Sequence, residues 1–315
     1  EFEAGFDAAL LNHRAGIDFT FYSKRTEDLL QSTPAAPSFG FPGNRQVNLG
    51  EVTNRGIELS MFGTPLQLTN FAWDTRINLA TNRNRLVSFG IPGRLREAVP
   101  TQPYGAVQEH RPGYPLGGYW ARLPQRNADG SPVVVGSTVQ LKTDAEFIGP
   151  SMPTREVGFS NTFTFFKNFR AYALLDYKGG HYIFNLKESN RCISNDNCAR
   201  VNQSMNARVP TTAGDSVLWR EFLMWRQVSS VYIEKADFIK LRDVSLSYTI
   251  PRQWLGRIGA EAATVTLTGK NLALWTDYTG IDPEVNSYGG RIFGRVDAYA
   301  SPMVRRLTMS MTVNY

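Results

Sequence analysis

Residues 305–315 read RRLTMSMTVNY. From Leu307 every second residue is apolar (Leu307, Met309, Met311, Val313, Tyr315), with Thr308, Ser310, Thr312 and Asn314 between them. A period of two defines a strand with one apolar and one polar face. Such a strand has two possible homes. In a soluble sheet the apolar face packs on a core; in a membrane barrel it meets lipid and the polar face meets the lumen. The stretch alone does not separate the two, but its surroundings do.

The chain has 315 residues, room for one large domain or two ordinary ones. Apolar residues make up 42%, aromatic 12% and charged 20%. No run approaches the ~18–20 uncharged residues of a membrane helix, which excludes a helical membrane protein. The net charge of +6 is spread without a basic run or a nucleic-acid motif, which argues against DNA or RNA as a partner. EFEAGFDAAL (1–10) carries acids where a signal peptide carries bases and already alternates, so either a leader has been removed or the start is an internal cut. Cys192 and Cys198, in RCISNDNCAR (191–200), are either free thiols or, in an oxidising compartment, a small disulfide loop. His13, His110 and His181 lie far from them in sequence, so no metal site is expected. There is no nucleophile elbow, zinc spacing or phosphate-binding glycine loop, and neither catalysis nor a cofactor is expected.

Nine strands are expected along the chain. They cover 2–11, 16–24, 51–62, 71–82, 156–166, 169–179, 238–250, 263–272 and the closing stretch. GTPLQLTN (63–70) reads as the turn between the third and fourth, and Lys167-Asn168 as the turn between the fifth and sixth. DSVLWREFLMWRQ (215–227) reads as a short helix. Connections alternate short and long, which is the threading of an up-and-down meander through a membrane: tight turns on one side, long loops on the other. In most strands one face is nearly free of charge, while Asp7, Asp18, Glu58, Asp74, Arg76 and Asp176 fall on the other. Placing Lys or Arg at a bilayer midplane costs about 2–4 kcal/mol, so the charge-free face is the lipid face. Asn161 is a polar guest on that face. Lys240 and Arg242 share the parity of Val244, Leu246, Tyr248 and Ile250, so they either sit at the headgroups or a bulge flips the parity. Bacterial single-chain barrels have even strand numbers, so an odd count points to the last part of a larger barrel.

Four stretches carry a family resemblance: NLGEVTNRGIELSM (48–61), IGPSMPTREVGFSNTFTFFKNF (148–169), ADFIKLRDVSLSYTIP (236–251) and VTLTGKNLALWTDYTGIDPEVN (265–286). In this order they resemble the SusC/RagA-type TonB-dependent outer-membrane transporters. Two departures are Ser301-Pro302 where the family has Tyr-Pro, and Tyr315 where it has a final Phe. The resemblance implies an all-β, antiparallel transmembrane barrel of roughly 22 strands, of which 1–315 would be the C-terminal portion, with the plug domain and earlier strands upstream. It implies energised import of a large nutrient such as an oligosaccharide or peptide. The implied partners are a SusD-like surface lipoprotein, TonB acting through regions not in this sequence, outer-membrane lipid and the outer-membrane assembly machinery. That machinery would read the strand of Leu307, Met309, Met311, Val313 and Tyr315.

Candidate sites follow. Asp277, Asp282 and Glu284 invite comparison with a glycosidase pair, but Tyr278, Gly280, Asp282, Pro283 and Glu284 read better as a family loop motif with a structural task. Tyr104, Tyr114, Tyr119, Trp120, Trp219 and Trp225 lie in long loops, where they either contact ligand or lid or build small cores that hold the loops together. Two other readings remain: a smaller passive outer-membrane pore or adhesin, which needs an even strand count, and a soluble all-β domain, which needs the apolar faces to converge on one core.

Overall fold

The computed structural model describes residues 1–34, 44–48, 50–99, 107–206, 217–256, 259–287 and 294–315. Nine strands form one antiparallel sheet in sequence order: β1 (Phe2–Leu10), β2 (Ala15–Thr26), β3 (Glu51–Leu68), β4 (Phe71–Ser88), β5 (Arg155–Phe165), β6 (Phe169–Gly179), β7 (Phe238–Ile250), β8 (Ala262–Thr276) and β9 (Arg306–Asn314). β1 and β9 are its two edges.

The register joins residues of like character into rows. One row crosses eight strands as Phe6, Phe19, Leu59, Leu79, Val157, Tyr177, Ile239 and Trp275. Its neighbour runs Asp7, Asp18, Ser60, Asn78, Gly158, Asp176, Lys240 and Leu274. Alternation along each strand thus becomes an apolar face and a polar face of the whole sheet. Among the described residues nothing covers the apolar face: Phe2, Leu246, Leu267, Leu307 and Met309 are all exposed. The convergence on one core that a soluble sheet requires is not what forms. The buried apolar clusters lie in the loops and at the strand ends.

Two expectations are corrected. β3 and β4 each run six residues beyond the ends read from the sequence, to Leu68 and Ser88. Residues 63–68 stay in β3 because a register shift between Gly63 and Leu66 absorbs Pro65, whose missing N–H a bulge tolerates. The turn itself is only Thr69-Asn70. At the other end β4 continues past Arg83 and Arg85, helped by two loop hydrogen bonds: Leu86 N donates to Tyr114 O at 2.9 Å, and Gly113 N to Leu86 O at 2.7 Å. The long connection between β2 and β3 also contains a short hairpin, Leu30–Pro34 against Asn44–Asn48.

The parity conflict in β7 resolves as a bulge. Leu174 pairs with Asp243 but Leu175 pairs with Leu241, so Arg242 is an extra residue against β6. Against β8, Leu241 pairs with Ala273 and Asp243 with Lys270, so Arg242 faces Asn271 and Leu272 together. Asn271 takes a left-handed φ of 52° there. Before the bulge Lys240 stands beside Asp176 in the polar row; after it Val244 pairs with Ala173 on the apolar face. Asn161, the polar guest on the apolar face, accepts a hydrogen bond from Trp73 Nε1 at 2.9 Å on the neighbouring strand.

Candidate functional site

The bulge aims two cations off the polar face, and the loop after β8 brings acids to meet them. Lys240 Nζ lies 2.8 Å from both oxygens of Asp282 and 2.5 Å from Glu284 Oε2. The Arg242 guanidinium grips Glu284 with two bonds, at 2.8 and 2.9 Å, and Asp176 through its Nε at 3.0 Å and through Nη2. Lys240 is 3% exposed and Asp282 4%, so this network is shielded from solvent, where an ion pair holds only if its members remain fully satisfied. Burial works against the charged Glu284 carboxylate, but hydrogen bonds from Arg242 and Lys240 outweigh it and bring its pKa down to about 2. The loop turns tightly because Asp282 Oδ1 accepts from Glu284 N at 2.9 Å, the backbone-mimicking turn that Asp favours. Tyr278 closes the loop's other end, donating to Asp297 Oδ2 at 2.9 Å. Burial and then Asp297 push its phenol far above the ordinary tyrosine value.

Asp282 and Glu284, two of the three loop acids that suggested an acid–base pair, are therefore spent on cations from the wall. Glu284 is held charged, so it is not poised as a general acid. Arg295 Nη2 donates to Pro283 O at 2.8 Å beneath them. His181 is buried beside Arg295, and neither of its ring nitrogens has a hydrogen-bond partner among the described residues. Burial first, then Arg295 and Lys178, lower its pKa to about 3. No motif or spacing pointed to His181 or Arg295 at this place.

Beyond this latch the long loops fold into one assembly with its own core. Tyr119, Phe184, Val201, Phe222, Met224, Tyr232 and Val296 meet there from three different loops. A helix over Val217–Gln227 contributes Phe222, Leu223 and Met224 as its buried side. Cys192 and Cys198 are joined at 2.05 Å and are both buried in this core. Glu188 stands near the two sulfurs, but as a disulfide they offer no thiolate to a metal.

The aromatic candidates take definite places. Tyr119 is fully buried; its hydroxyl donates to Arg295 O and accepts from Phe184 N at 3.1 Å. Trp120 is 6% exposed, with the Arg111 guanidinium 3.8 Å over its ring. Trp219 stacks on Phe222 with centroids 5.3 Å apart, and Arg200 lies 4.0 Å over Trp225. Tyr114 meets Trp120 edge-on at 4.6 Å. Tyr104 lies outside the described residues. Tyr119 thus ties its loop to two others, while these ring contacts of Tyr114, Trp120, Trp219 and Trp225 are with neighbours in the same loop.

One open feature adjoins the assembly. At the long-loop ends of β3 and β4 a cleft of about 730 Å³ is enclosed between the polar face and the loops, its lining including Asn54, Asn82, Asn84, Leu116 and Met152. This size is within the range of ~300–1,000 Å³ usual for ligand sites. The sequence reading missed it. The only trace there is the alternation of Asn82 and Asn84.

An uncovered apolar face, an opposite polar face, tight turns at one end and a folded loop assembly at the other define the wall of an outer-membrane-type β-barrel. Comparison with known proteins agrees. Residues 1–272 match the family described as TonB dependent receptor-like, beta-barrel, and the chain belongs to that family. It is 26% identical over 347 residues to TonB-dependent receptor P26 of Formosa agariphila, covering 99% of this chain and 34% of the relative. It is 23% identical over 305 residues to TonB-dependent receptor SusC of Bacteroides thetaiotaomicron, covering 90% of this chain and 29% of the relative. Among solved structures, the RagAB peptide importer in its "closed-closed" state superposes with a TM-score of 0.77 at 22% identity, over 99% of this chain and 35% of that one. The "open-open" state gives 0.74 at 19% identity. The chain spans about a third of the length of the curated relatives it matches.

Proposed function

We propose that residues 1–315 are the C-terminal portion of an outer-membrane TonB-dependent importer, forming part of its barrel wall and of its extracellular loops. The apolar face then meets lipid, the polar face lines the lumen, and the edges β1 and β9 pair with further strands of a longer chain, which removes the unpaired backbone that open edges leave. The observation that carries this reading is the apolar row crossing eight strands, with none of the described residues packed on its outer side. The closing residues Leu307, Met309, Met311, Val313 and Tyr315 serve on this view as the strand read by the assembly machinery. The cargo is a large nutrient, an oligosaccharide or a peptide. A SusD-like lipoprotein covers the loops, and TonB acts through regions outside this sequence.

The mass of the native, detergent-extracted polypeptide tests it. Since the chain covers about a third of its relatives, the reading expects a species near ~100 kDa, enough for roughly 22 strands and a plug. Uptake should stop when TonB is deleted. A mature polypeptide of the present length would leave no plug for TonB to act on, and a passive pore or adhesin would replace this reading.

A further inference from the structure

We infer that the outer face of β2–β5, at its long-loop end, holds the phosphate of an anionic lipid headgroup between arginines. The inference rests on the outer-membrane part of the reading above, not on import. The apolar face does not stay apolar to its top. Above the row of Phe6, Phe19, Leu59, Leu79 and Val157, the next row toward the loops runs Ala4, Phe21, Ile57, Thr81 and Arg155. A second row sets Ser23, Arg55 and Arg83 side by side, and a third sets Arg25, Thr53 and Arg85. Alternate residues of a strand share a face, so these arginines stand on the outer side of four adjacent strands, within ~13 Å along the strand direction. All five are exposed.

The ladder alone gives no reason for this. Arg55 is the direct partner of Arg83 across β3 and β4, where Cβ atoms stand ~4.5–5.5 Å apart and like charges destabilise. An anion between the two turns that repulsion into attraction. Arg25 has acids of its own, Glu27 at 2.7 Å and Glu51 at 3.0 Å. The patch is therefore that of Arg55 and Arg83, flanked by Arg85 and Arg155. A phosphate suits it, because several oxygens on one centre accept from two guanidinium forks at once. Position says which phosphate. Arg55 and Arg83 begin one row above Phe21 and Ile57, only ~7 Å along the strand from side chains that the reading places in hydrocarbon. An anion at that height is a headgroup carried on acyl chains. The turn end of the same face is different: Phe71, Trp73, Phe163, Phe165, Phe169 and Tyr248 share it. Rings of this kind settle at a membrane interface without asking for a charge. One face thus ends in aromatic rings on one side and in guanidinium groups on the other.

The test uses the native full-length protein in lipid-free detergent, read by native mass spectrometry and by heat-modifiable gel migration. The probes are diphosphoryl lipid A, dioleoylphosphatidylcholine and inorganic phosphate. The variant is Arg55→Gln with Arg83→Gln, which keeps polarity and removes the charge. Lipid A should be retained about tenfold or more over phosphatidylcholine, as two arginines beside an anionic headgroup supply, and the variant should lose that preference. Lipid A should also raise the temperature at which the native protein loses its fast-migrating form, and leave the variant where it was. Without lipid the variant should resist heat as well as the native protein or better, since the repulsion is gone. A variant that melts lower without lipid would assign the arginines to the wall's own stability and overturn the site. So would equal retention of lipid A by both forms, no preference over phosphatidylcholine, or the same thermal shift from inorganic phosphate. A native protein that stays dispersed without detergent would overturn the outer-membrane reading as well. One that needs detergent but is indifferent to lipid A would overturn the site alone.

Discussion

Leu246 and Leu267, on the wall, are each about half exposed, whereas Phe184 and Tyr232, in the loop assembly, are almost fully enclosed. The two regions use apolar side chains for opposite ends. The wall draws its order from a continuous ladder of backbone bonds and leaves its apolar face for another medium, since hydrocarbon cannot satisfy an open backbone. The loop assembly behaves as a small soluble domain, where each fully buried large apolar side chain contributes about 1.5–3 kcal/mol. The two are joined by charge. Lys240 and Arg242 belong to the wall, Asp282 and Glu284 to the loops, and the bulge in β7 turns the cations toward the acids. The difference teaches that a barrel loop can be stable without being part of the barrel, provided something registers it to the wall.

The largest effect should come from cutting that registration. Lys240→Met leaves the buried Asp282 without its ion-pair partner, a loss of about 3–5 kcal/mol for one partner of a buried pair. Hydrogen exchange should show the amides of 278–287 opening, while heat-modifiable migration of the barrel is unchanged. Adding Asp282→Asn should return part of the protection. Unchanged exchange in Lys240→Met would mean that the loop core, not the latch, holds the assembly in place.

The converse experiment damages the wall and spares the loops. Gly56 sits on the polar face of β3 where the Tyr22 ring crosses it, and a Cβ there would lie 2.0 Å from Thr81 O and 2.5 Å from Tyr22 Oη. The carbonyl is backbone and cannot step aside. Gly56→Val should therefore cost about 1–3 kcal/mol as overpacking, lowering the temperature at which the barrel loses its fast-migrating form. Exchange in the loop core around 184–233 should not change. Loosening of both regions together would show that they form one cooperative unit.

Over the range from pH 8 to 5, acid should separate the regions by about 2 kcal/mol. His181 has a folded pKa of about 3 against an ordinary value of 6.5. A group whose folded pKa is depressed contributes stability above its unfolded value and loses it as the pH falls toward the folded one. The loop assembly should thus weaken from just below pH 6.5 down to about 3, by about 1.4 kcal/mol for each pH unit. Glu284, with a folded pKa of about 2 against 4.5, loses its contribution only in that window's lower half and beyond it, as the pH falls from 4.5 toward 2. Exchange of the loop amides between pH 8 and 5 should rise faster in the native protein than in His181→Leu. Parallel curves would place the acid-sensitive group elsewhere.

The same contrast explains what could be read in the sequence. Wall strands are local objects: the period of two in β1, β5, β6 and β9 is written in consecutive residues. Where it broke, as at Pro65 or Lys240 and Arg242, the break marked a bulge, and the second of these marked the latch. The loop assembly is written nowhere locally. Tyr119 reaches Arg295 across 176 residues and Val139 N reaches Gln227 across 88, and no periodicity encodes such pairs. Asp282 and Glu284 were visible as acids and their partners as misplaced cations, but only the fold brings the two observations together. The cleft needed both the alternating asparagines of β4 and loops whose course could not be followed from composition.

The smallest effect concerns a polar guest on the wall's apolar face. Trp73 Nε1 donates to Asn161 Oδ1 at 2.9 Å between β4 and β5, and the Trp73 ring also stacks on Phe163 with centroids 6.0 Å apart. Phe in place of Trp73 keeps a ring in the stack but removes the donor, so only the hydrogen bond is lost. In water such a loss is blunted by solvent. In lipid a bare carboxamide oxygen has no solvent to turn to, yet side-chain hydrogen bonds measured in membranes average only about 0.6 kcal/mol, because the alternative states find partners too. Trp73→Phe should therefore lower the wall's unfolding midpoint by an amount near that size. Trp73→Phe with Asn161→Val should recover it or exceed it, since both polar groups are then gone. A loss of several kcal/mol in the single variant would mean that the Asn161 amide is sealed against alternatives more tightly than a lipid-facing position allows, and that this part of the apolar face is covered.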